Sequence, residues 1–274
     1  MKIWAVANQK GGVGKTTTTV SLGGLLAEQG QRVLLVDIDP QGSLTAYFAY
    51  DPENIQTSSL NLFNADKITR TQVNGLIRET SMPGLSLLPA SIGLSTIERK
   101  ASQEGMGLKL NKALNQVWQD FDYVIIDSPP VLGALMINAL AACEHLLVPV
   151  QTEFLALKGM DRMLRTVAMV TKSLKKQLPH TVIPTMFDKR TKASVVSLES
   201  LRQDHPQKTW SSVIPVDTRF RDASRHSMPP SQYDNQSHGV HAYRELLKSL
   251  LGDAQQKEAL LTPNESIVRV AAYG

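Results

Sequence analysis

A short glycine-rich run near the N-terminus has the residue types that phosphate binding needs. Gly11, Gly12 and Gly14 precede Lys15, and Thr16 follows it. The run satisfies the phosphate-loop pattern G-x-x-x-x-G-K-[ST] in a relaxed form. Glycines let the backbone curl so that successive N–H groups face phosphate oxygens, a lysine can reach the outer phosphates, and a threonine hydroxyl can hold Mg²⁺. The alternative is a glycine-rich turn that binds no ligand.

The segments on either side place this run between a strand and a helix. Residues 2–7 form an apolar stretch typical of a buried strand, and residues 16–29 are predicted to form a helix with apolar side chains available to the core. In this context the helix N-terminus adds its positive dipole end to the phosphate site. The sequence therefore predicts a phosphate-binding loop rather than a chance match to the pattern.

Three carboxylates follow predicted strands and are candidates for the same site. Asp127 ends the apolar stretch 122–127, where a carboxylate near a phosphate loop can hold Mg²⁺ through water. Asp37 and Asp39 follow the predicted strand 32–36, and on an extended chain residues at i and i+2 point the same way. The alternatives are a turn residue for Asp127 and a turn cap for Asp39.

Lys10 sets the glycine-rich run apart from an ordinary phosphate loop. The octet Lys10-Gly-Gly-Val-Gly-Lys-Thr-Thr17 resembles the deviant Walker A motif of the ParA/MinD family of ATPases, and the resemblance extends over about residues 1–251. It implies that the chain binds ATP or ADP with Mg²⁺ and forms a homodimer when ATP is bound. It assigns the phosphates to Lys10, Gly11, Gly12, Val13, Gly14, Lys15, Thr16 and Thr17.

The resemblance also implies roles in hydrolysis. Lys10 crosses the dimer interface to the partner's nucleotide, and Lys15 reaches the phosphates of its own. Asp39 orients the attacking water, and the metal ligands are Thr16, Asp37 and Asp127. Nothing in the chain resembles an arginine finger, so Lys10 of the second subunit is the candidate that neutralises charge in the transition state. Hydrolysis is therefore expected to be slow and to need the dimer.

The adenine site is less visible in the sequence. The resemblance places it at segments after C-terminal strands, where Met186 and Pro215 stand. The asparagine that MinD-like members often use there is absent, so backbone groups are expected to contact the base. The alternative is that both residues are simply core and turn.

The second half of the chain is basic. Residues 158–226 carry 14 Lys/Arg and 6 Asp/Glu, which indicates either an anionic partner or an ordinary solvated surface. Arg190 and Arg219 match places where chromosome-partitioning relatives carry DNA-contacting arginines. The resemblance thus suggests non-specific DNA binding through phosphates. The alternative is that these basic loops are only solvated.

The alternation of apolar and amphipathic segments predicts an α/β fold. We expect a single doubly wound, mostly parallel sheet with helices on both faces, formed by residues 1–251. Residues 210–215 are predicted as a last strand, and residues 252–274 as a loosely ordered tail. The single cysteine, Cys143, fits a reducing compartment, and no signal-peptide pattern or apolar run of ~18 residues is visible. These observations favour a cytoplasmic protein.

These features suggest an ATP-dependent switch that positions or segregates a cargo and interacts with an activating partner protein. The cargo could be a chromosome, a plasmid or a chemotaxis array, and segment 46–52 looks closest to ParA-like proteins that place arrays at the cell pole. The nucleoid or the pole is then the expected location. The end of the chain, residues 261–274, has no basic apolar face, so no membrane anchor is expected. The alternative is a metabolic ATP-dependent ligase or reductase on the same fold.

Overall fold

The computed structural model describes residues 1–99 and 106–261, and within them seven strands form one sheet. Its order is β3-β4-β2-β5-β1-β6-β7, and each neighbouring pair is parallel except β3 with β4. The strands are β1 (Lys2–Val6), β2 (Val33–Asp37), β3 (Arg78–Glu79), β4 (Leu85–Leu88), β5 (Tyr123–Asp127), β6 (His145–Gln151) and β7 (His180–Thr185).

Helices cover both faces of the sheet. They are α1 (Lys15–Glu28), α2 (Ser43–Tyr47), α3 (Leu60–Asn64), α4 (Arg70–Leu76), α5 (Ser95–Arg99), α6 (Lys109–Gln116), α7 (Ala134–Ala142), α8 (Phe154–Ser173), α9 (Lys192–Asp204), α10 (Arg219–Arg225), α11 (Pro230–Tyr233) and α12 (His238–Leu261). One apolar core includes Leu135 of α7 and Met163 of α8. A second core, on the other face, includes Leu22 of α1 and Leu246 of α12. The predicted doubly wound α/β fold is confirmed.

The central strands end together at one edge of the sheet. Val6 of β1 and Asp37 of β2 both pair with Asp127 of β5. In open parallel sheets, ligands bind outside the carboxyl ends of the strands, where successive connections leave in opposite directions. The fold therefore gathers the start of the glycine-rich loop and two of the predicted carboxylates at one ligand-binding edge.

The predicted last strand, residues 210–215, is wrong. This segment makes single bridges at Thr209 with Val182 and at Pro215 with Phe187. It bends between these two points, at Ser211 and Ser212, so a continuous ladder with β7 does not form. It borders the sheet edge as a loop.

Helix α12 ends at Leu261, inside the segment predicted as a tail. The remainder of that segment, residues 262–274, lies outside the described residues, and with it most of the stretch on which the membrane-anchor prediction rests. Among the described helices, none combines the length and the apolarity that a bilayer-spanning segment requires.

Candidate nucleotide-binding site

The glycine-rich loop joins β1 to α1 and has a backbone that favours glycine. Gly12 and Gly14 have φ angles of 72° and 93°, in the left-handed region. Val13 between them is buried, and its carbonyl accepts a hydrogen bond from Thr185 Oγ1 at 2.9 Å. The last residue of β7 therefore fixes the centre of the loop.

A cavity of about 310 Å³ opens above this loop. It is lined by Gly11, Gly12, Gly14, Lys15, Thr16, Thr17, Asp39, Gln41, Ser43, Pro130 and Met186. Most of the residues predicted to bind phosphate are thus brought to one space, together with the predicted water-orienting carboxylate. A ligand in this cavity would meet the N-terminus of α1 and its unpaired N–H groups.

Lys15 lines this cavity and is only 9% exposed. Burial lowers the pKa of its ammonium group, while the nearby carboxylates of Asp127 and Asp39 raise it. This buried cation is therefore stabilised by the charge of two nearby acids. It is suited to bind an anionic group that enters the cavity.

Asp127 and Thr16 form a pair suited to Mg²⁺. The Thr16 hydroxyl donates to Asp127 Oδ2 at 2.6 Å, whereas the buried Oδ1 has no hydrogen-bond partner among the described residues. Burial, with the nearby Asp37, raises the pKa of Asp127 to about 8. A divalent cation beside this carboxylate would stabilise its ionised form, and both groups are oxygen ligands of the kind Mg²⁺ prefers.

These two residues are too few to bind a metal ion on their own. The described residues contain no group of three or more His, Cys, Asp or Glu placed to hold one. An ion at Thr16 and Asp127 would therefore need further oxygens, which nucleotide phosphates and water supply. The residues present fit Mg²⁺ that enters with a nucleotide.

Asp37 is placed differently from the other carboxylates. It is fully buried, and both of its oxygens accept hydrogen bonds from the chain. Oδ1 accepts from the Asp39 N–H at 3.0 Å, and Oδ2 accepts from the N–H and hydroxyl of Thr45 at 2.8 and 2.7 Å. Burial raises the pKa of Asp37 to about 7. In this structure its carboxylate orders the turn that carries Asp39, and its role as a metal ligand stays a prediction.

Asp39 lies at the cavity wall and is 8% exposed. Its Oδ1 accepts a hydrogen bond from the Gln41 N–H at 3.0 Å, so it also caps the following turn. The cap engages one of two carboxylate oxygens. Capping and the orientation of a water molecule are therefore compatible at this residue.

Lys10 lies outside the cavity that its own loop forms. Its ammonium group pairs with Glu153, the residue that precedes α8, and donates to Gln151 Oε1 at 3.3 Å. Its backbone N–H donates to the Asn8 side chain at 3.0 Å. The structure thus brings together Lys15, Thr16, Asp39 and Asp127, and separates Lys10 from them.

A second cavity, of about 340 Å³, borders the first and shares Gly14, Thr17 and Met186 with it. Met186 follows β7 with a φ of 53°, a left-handed conformation that costs a non-glycine residue about 1–3 kcal/mol. Pro215 lines the same cavity, and its neighbour Ile214 accepts a hydrogen bond from the Phe187 N–H at 3.1 Å. Both residues predicted to contact adenine therefore lie beside the phosphate cavity.

Two aromatic residues of this second cavity are not predicted by the sequence pattern. The rings of Phe220 and Tyr243 meet edge to face, with centroids 5.7 Å apart. The buried hydroxyl of Tyr243 shares a hydrogen bond of 2.8 Å with Thr18 of α1. The wall of the second cavity is thereby tied to the helix that begins at Lys15. Neither aromatic belongs to a local motif, so no sequence signal marked them.

Arg190 and Arg219 are exposed, and neither lines the two cavities. Arg190 makes bonds of 2.9 and 2.7 Å to the Asp188 carboxylate, whose pKa it lowers to about 2. Arg219 lies 3.3 Å from Asp234 and 3.9 Å from Asp222. Each arginine is thus paired with acids of its own chain, and an anionic partner would have to compete with them.

A glycine loop between β1 and α1, with Thr16 and Asp127 in contact beside it, defines a phosphate-loop nucleotide-binding protein. A family model described as an AAA domain matches residues 1–180. The sporulation initiation inhibitor protein Soj of Bacillus subtilis is 39% identical, over 91% of this chain and 98% of its own length. The chromosome partitioning protein ParA of Caulobacter vibrioides is 34% identical, over 94% and 97%. The chain belongs to the ParA/MinD family of ATPases.

A solved structure of the same fold comes from a synthase rather than from a partitioning protein. Cobyrinic acid a,c-diamide synthase of Mycobacterium smegmatis, with bound ATP analog and magnesium, superimposes with a TM-score of 0.78. It is 36% identical, over 92% of this chain and 94% of that one. The likeness to array-placing proteins in particular stays a prediction.

Proposed function

We propose that this protein is a ParA-type switch that dimerises when it binds ATP and uses that state to position or segregate a cargo. The observation that carries the proposal is the contrast between its two loop lysines. Lys15 is buried in the phosphate cavity, whereas Lys10 leaves the same loop and lies outside the cavity. Lys10 does not line its own cavity, so it can serve the site of a second copy once its ion pair with Glu153 opens. The partitioning relatives support this function.

ATP is expected to lie across both cavities, with its phosphates at the glycine loop and its base near Met186 and Pro215. Lys15 and the loop N–H groups bind the phosphates, and Thr16 and Asp127 are the residues that would hold Mg²⁺. The ion supplies positive charge that offsets charge on the phosphate oxygens. The magnesium-bound synthase structure, similar over 92% of this chain, supports this assignment.

Hydrolysis requires a water oxygen to bond to the γ-phosphorus while the bond from that phosphorus to the β–γ bridging oxygen breaks. Asp39 orients this water from the cavity wall. Lys10 of the second subunit adds positive charge where negative charge grows. Lys10 can reach the nucleotide of the second subunit only after its ion pair with Glu153 opens. In the dimer, phosphate oxygens of that nucleotide then replace the Glu153 carboxylate as the group that binds the Lys10 ammonium.

The slow rate is the first testable consequence. We expect purified protein to release phosphate well below ~10 s⁻¹, because the described residues offer no arginine to the phosphate cavity. The rate per molecule should rise with protein concentration, since the complete site needs two copies. A phosphate-release assay over a dilution series checks this, with the fraction of dimer measured at each concentration. A rate per molecule that stays constant while the protein remains monomeric would contradict the proposal.

A metabolic ligase is the second candidate, favoured by the 36% identity to the diamide synthase. A ligase spends ATP only when it joins two substrates, so its turnover depends on an acceptor carboxylate and an amine donor. A ParA-type switch hydrolyses ATP with water alone. Phosphate release in buffer without any acceptor therefore separates the two functions.

We propose that the dimer binds DNA and that Arg190 and Arg219 contact the DNA phosphates. We expect Arg190→Glu and Arg219→Glu each to weaken ATP-dependent binding of duplex DNA while ATP turnover stays unchanged, since neither residue lines the nucleotide cavities. Wild-type binding should fall by at least ~100-fold between ~50 and ~200 mM salt, as counterion release requires. Gel retardation measures both effects.

Arg70→Glu is the matched control, because Arg70 is also an exposed arginine paired with an aspartate, Asp120. DNA binding should survive that change. If the ATP-bound wild type fails to retard DNA even at ~50 mM salt, nucleic acid is removed from the proposed partners. An activating protein and a polar or chemotaxis-array scaffold would then be the leading ones, and the proposed location would move from the nucleoid to the pole.

A further inference from the structure

Helix α8 carries a line of exposed side chains that no part of the proposed mechanism uses. They follow one another at spacings of three or four residues and therefore lie on one side of the helix. We call them the cationic stripe: Leu155, Lys158, Arg162, Arg165, Met169 and Lys172. The stripe extends for about 26 Å along the helix axis, at ~1.5 Å per residue.

The opposite side of α8 is the one that holds the helix to the sheet. Ala156, Met160, Met163 and Val167 are buried there. The stripe consequently faces solvent, and its two aliphatic members are strongly exposed, Leu155 at 72% and Met169 at 64%. Substitutions along the stripe should leave the core contacts of the helix intact.

The four cations of the stripe differ from the arginines described above in having no acidic partner. Arg190, Arg219 and Arg70 each pair with an aspartate, whereas none of the ion pairs among the described residues involves a stripe cation. The acid of α8 itself, Asp161, is directed to His205, at 2.9 Å. The stripe therefore presents four cations that take part in no ion pair among the described residues, and the ammonium group of Lys158 lies over the Phe154 ring, 5.8 Å from its centroid.

We propose that the cationic stripe is a docking surface for an acidic amphipathic helix of a partner protein. The charge of the four cations selects carboxylates, and Leu155 and Met169 stand in the same line, one at its start and one between Arg165 and Lys172. Phosphates of a nucleic acid backbone would pair with the cations, but they offer no apolar surface on which Leu155 and Met169 could pack. A helix with carboxylates flanking an apolar line matches both, and exposed methionine adapts readily to such partners.

None of the stripe residues lines the two nucleotide cavities. All of them belong to one chain, so a complete docking surface exists on the monomer. Binding is therefore expected with or without ATP. This separates the proposal from the switch function, which needs ATP and two copies.

The test uses a labelled synthetic helical peptide with an apolar leucine line flanked by glutamates, and a second peptide of the same composition with the order shuffled. Fluorescence anisotropy at ~0.15 M salt gives the Kd of each for the full-length protein. We expect the amphipathic peptide to bind at least ~10-fold more tightly than the shuffled one. Arg162→Glu with Arg165→Glu should weaken it by about tenfold or more. Met169→Gln should weaken it without changing charge.

Lys67→Glu with Lys112→Glu is the matched control, since both lysines are exposed outside α8 and the change in net charge is the same. Circular dichroism confirms the fold of each variant, and Lys172→Glu replaces the double variant if that one unfolds. Three results would overturn the proposal: equal binding of the two peptides, equal loss in the control pair, or loss of duplex DNA binding in the stripe variant with peptide binding unchanged.

Discussion

Replacing Lys15 with alanine is expected to weaken ATP binding by at least about 100-fold, because two effects act together. The variant loses the charge-assisted hydrogen bonds from the buried ammonium group to the phosphates. It also leaves the carboxylates of Asp39 and Asp127 facing a polyanion without the cation that lies against them. Titration calorimetry with ATP and Mg²⁺ measures the loss directly.

Lys112→Ala is the control for this experiment, since Lys112 is an exposed lysine of α6 that lies away from both cavities. It should bind ATP as the wild type does. Binding by the Lys15 variant within about threefold of the wild type, a difference under ~1 kcal/mol, would mean that the glycine loop is not the phosphate site.

Much of the candidate phosphate site could be predicted from the sequence because its parts are local or are brought together by parallel pairing. The loop residues are consecutive, and Lys15 and Thr16 begin the helix that the pattern requires. Asp127 followed from the fold class, since the ends of parallel central strands lie at one edge. The contact between Thr16 and Asp127 joins two elements that the sequence had already marked.

The surroundings of the Asp37 carboxylate could not be predicted from the local sequence. Its spacing from Asp39 suggested that both carboxylates face the ligand, which assumes that the extended chain continues past β2. The chain turns instead, and Asp37 is engaged by Thr45 at the start of α2. A hydrogen bond from a residue eight positions later to the last residue of a strand cannot be read from the alternation within that strand.

The second cavity was only partly predictable for a related reason. Met186 and Pro215 were suggested by resemblance, and the structure places them beside the phosphate cavity. Phe220 and Tyr243 come from α10 and α12, which meet only through tertiary packing. The prediction of a strand at 210–215 was wrong because apolar composition indicates burial but not a continuous ladder. The backbone bends between two isolated bridges to the sheet edge.

Lys10→Ala and Asp39→Ala are expected to fail at different steps. The Lys10 variant should bind ATP through the intact cavity and remain monomeric, because the contact with the second nucleotide is missing. The Asp39 variant should bind ATP and accumulate as a dimer, because the phosphate contacts remain while the water is no longer oriented. Light scattering with ATP measures both masses, and a wild-type sample with ADP is the control. The same mass for both variants would contradict a role for Lys10 across the interface.

ATP hydrolysis by an equimolar mixture of these two variants shows directly whether Lys10 acts on the partner's nucleotide. In a mixed dimer, the subunit with Lys10→Ala keeps its own Asp39 and receives the intact Lys10 of its partner, so one of the two sites is complete. We expect the mixture to hydrolyse ATP at a rate well above the sum of the rates of the two variants measured separately. If a mixed dimer is detected and its rate equals that sum, or if Lys10→Ala alone hydrolyses ATP at the wild-type rate, Lys10 does not act on the partner's nucleotide.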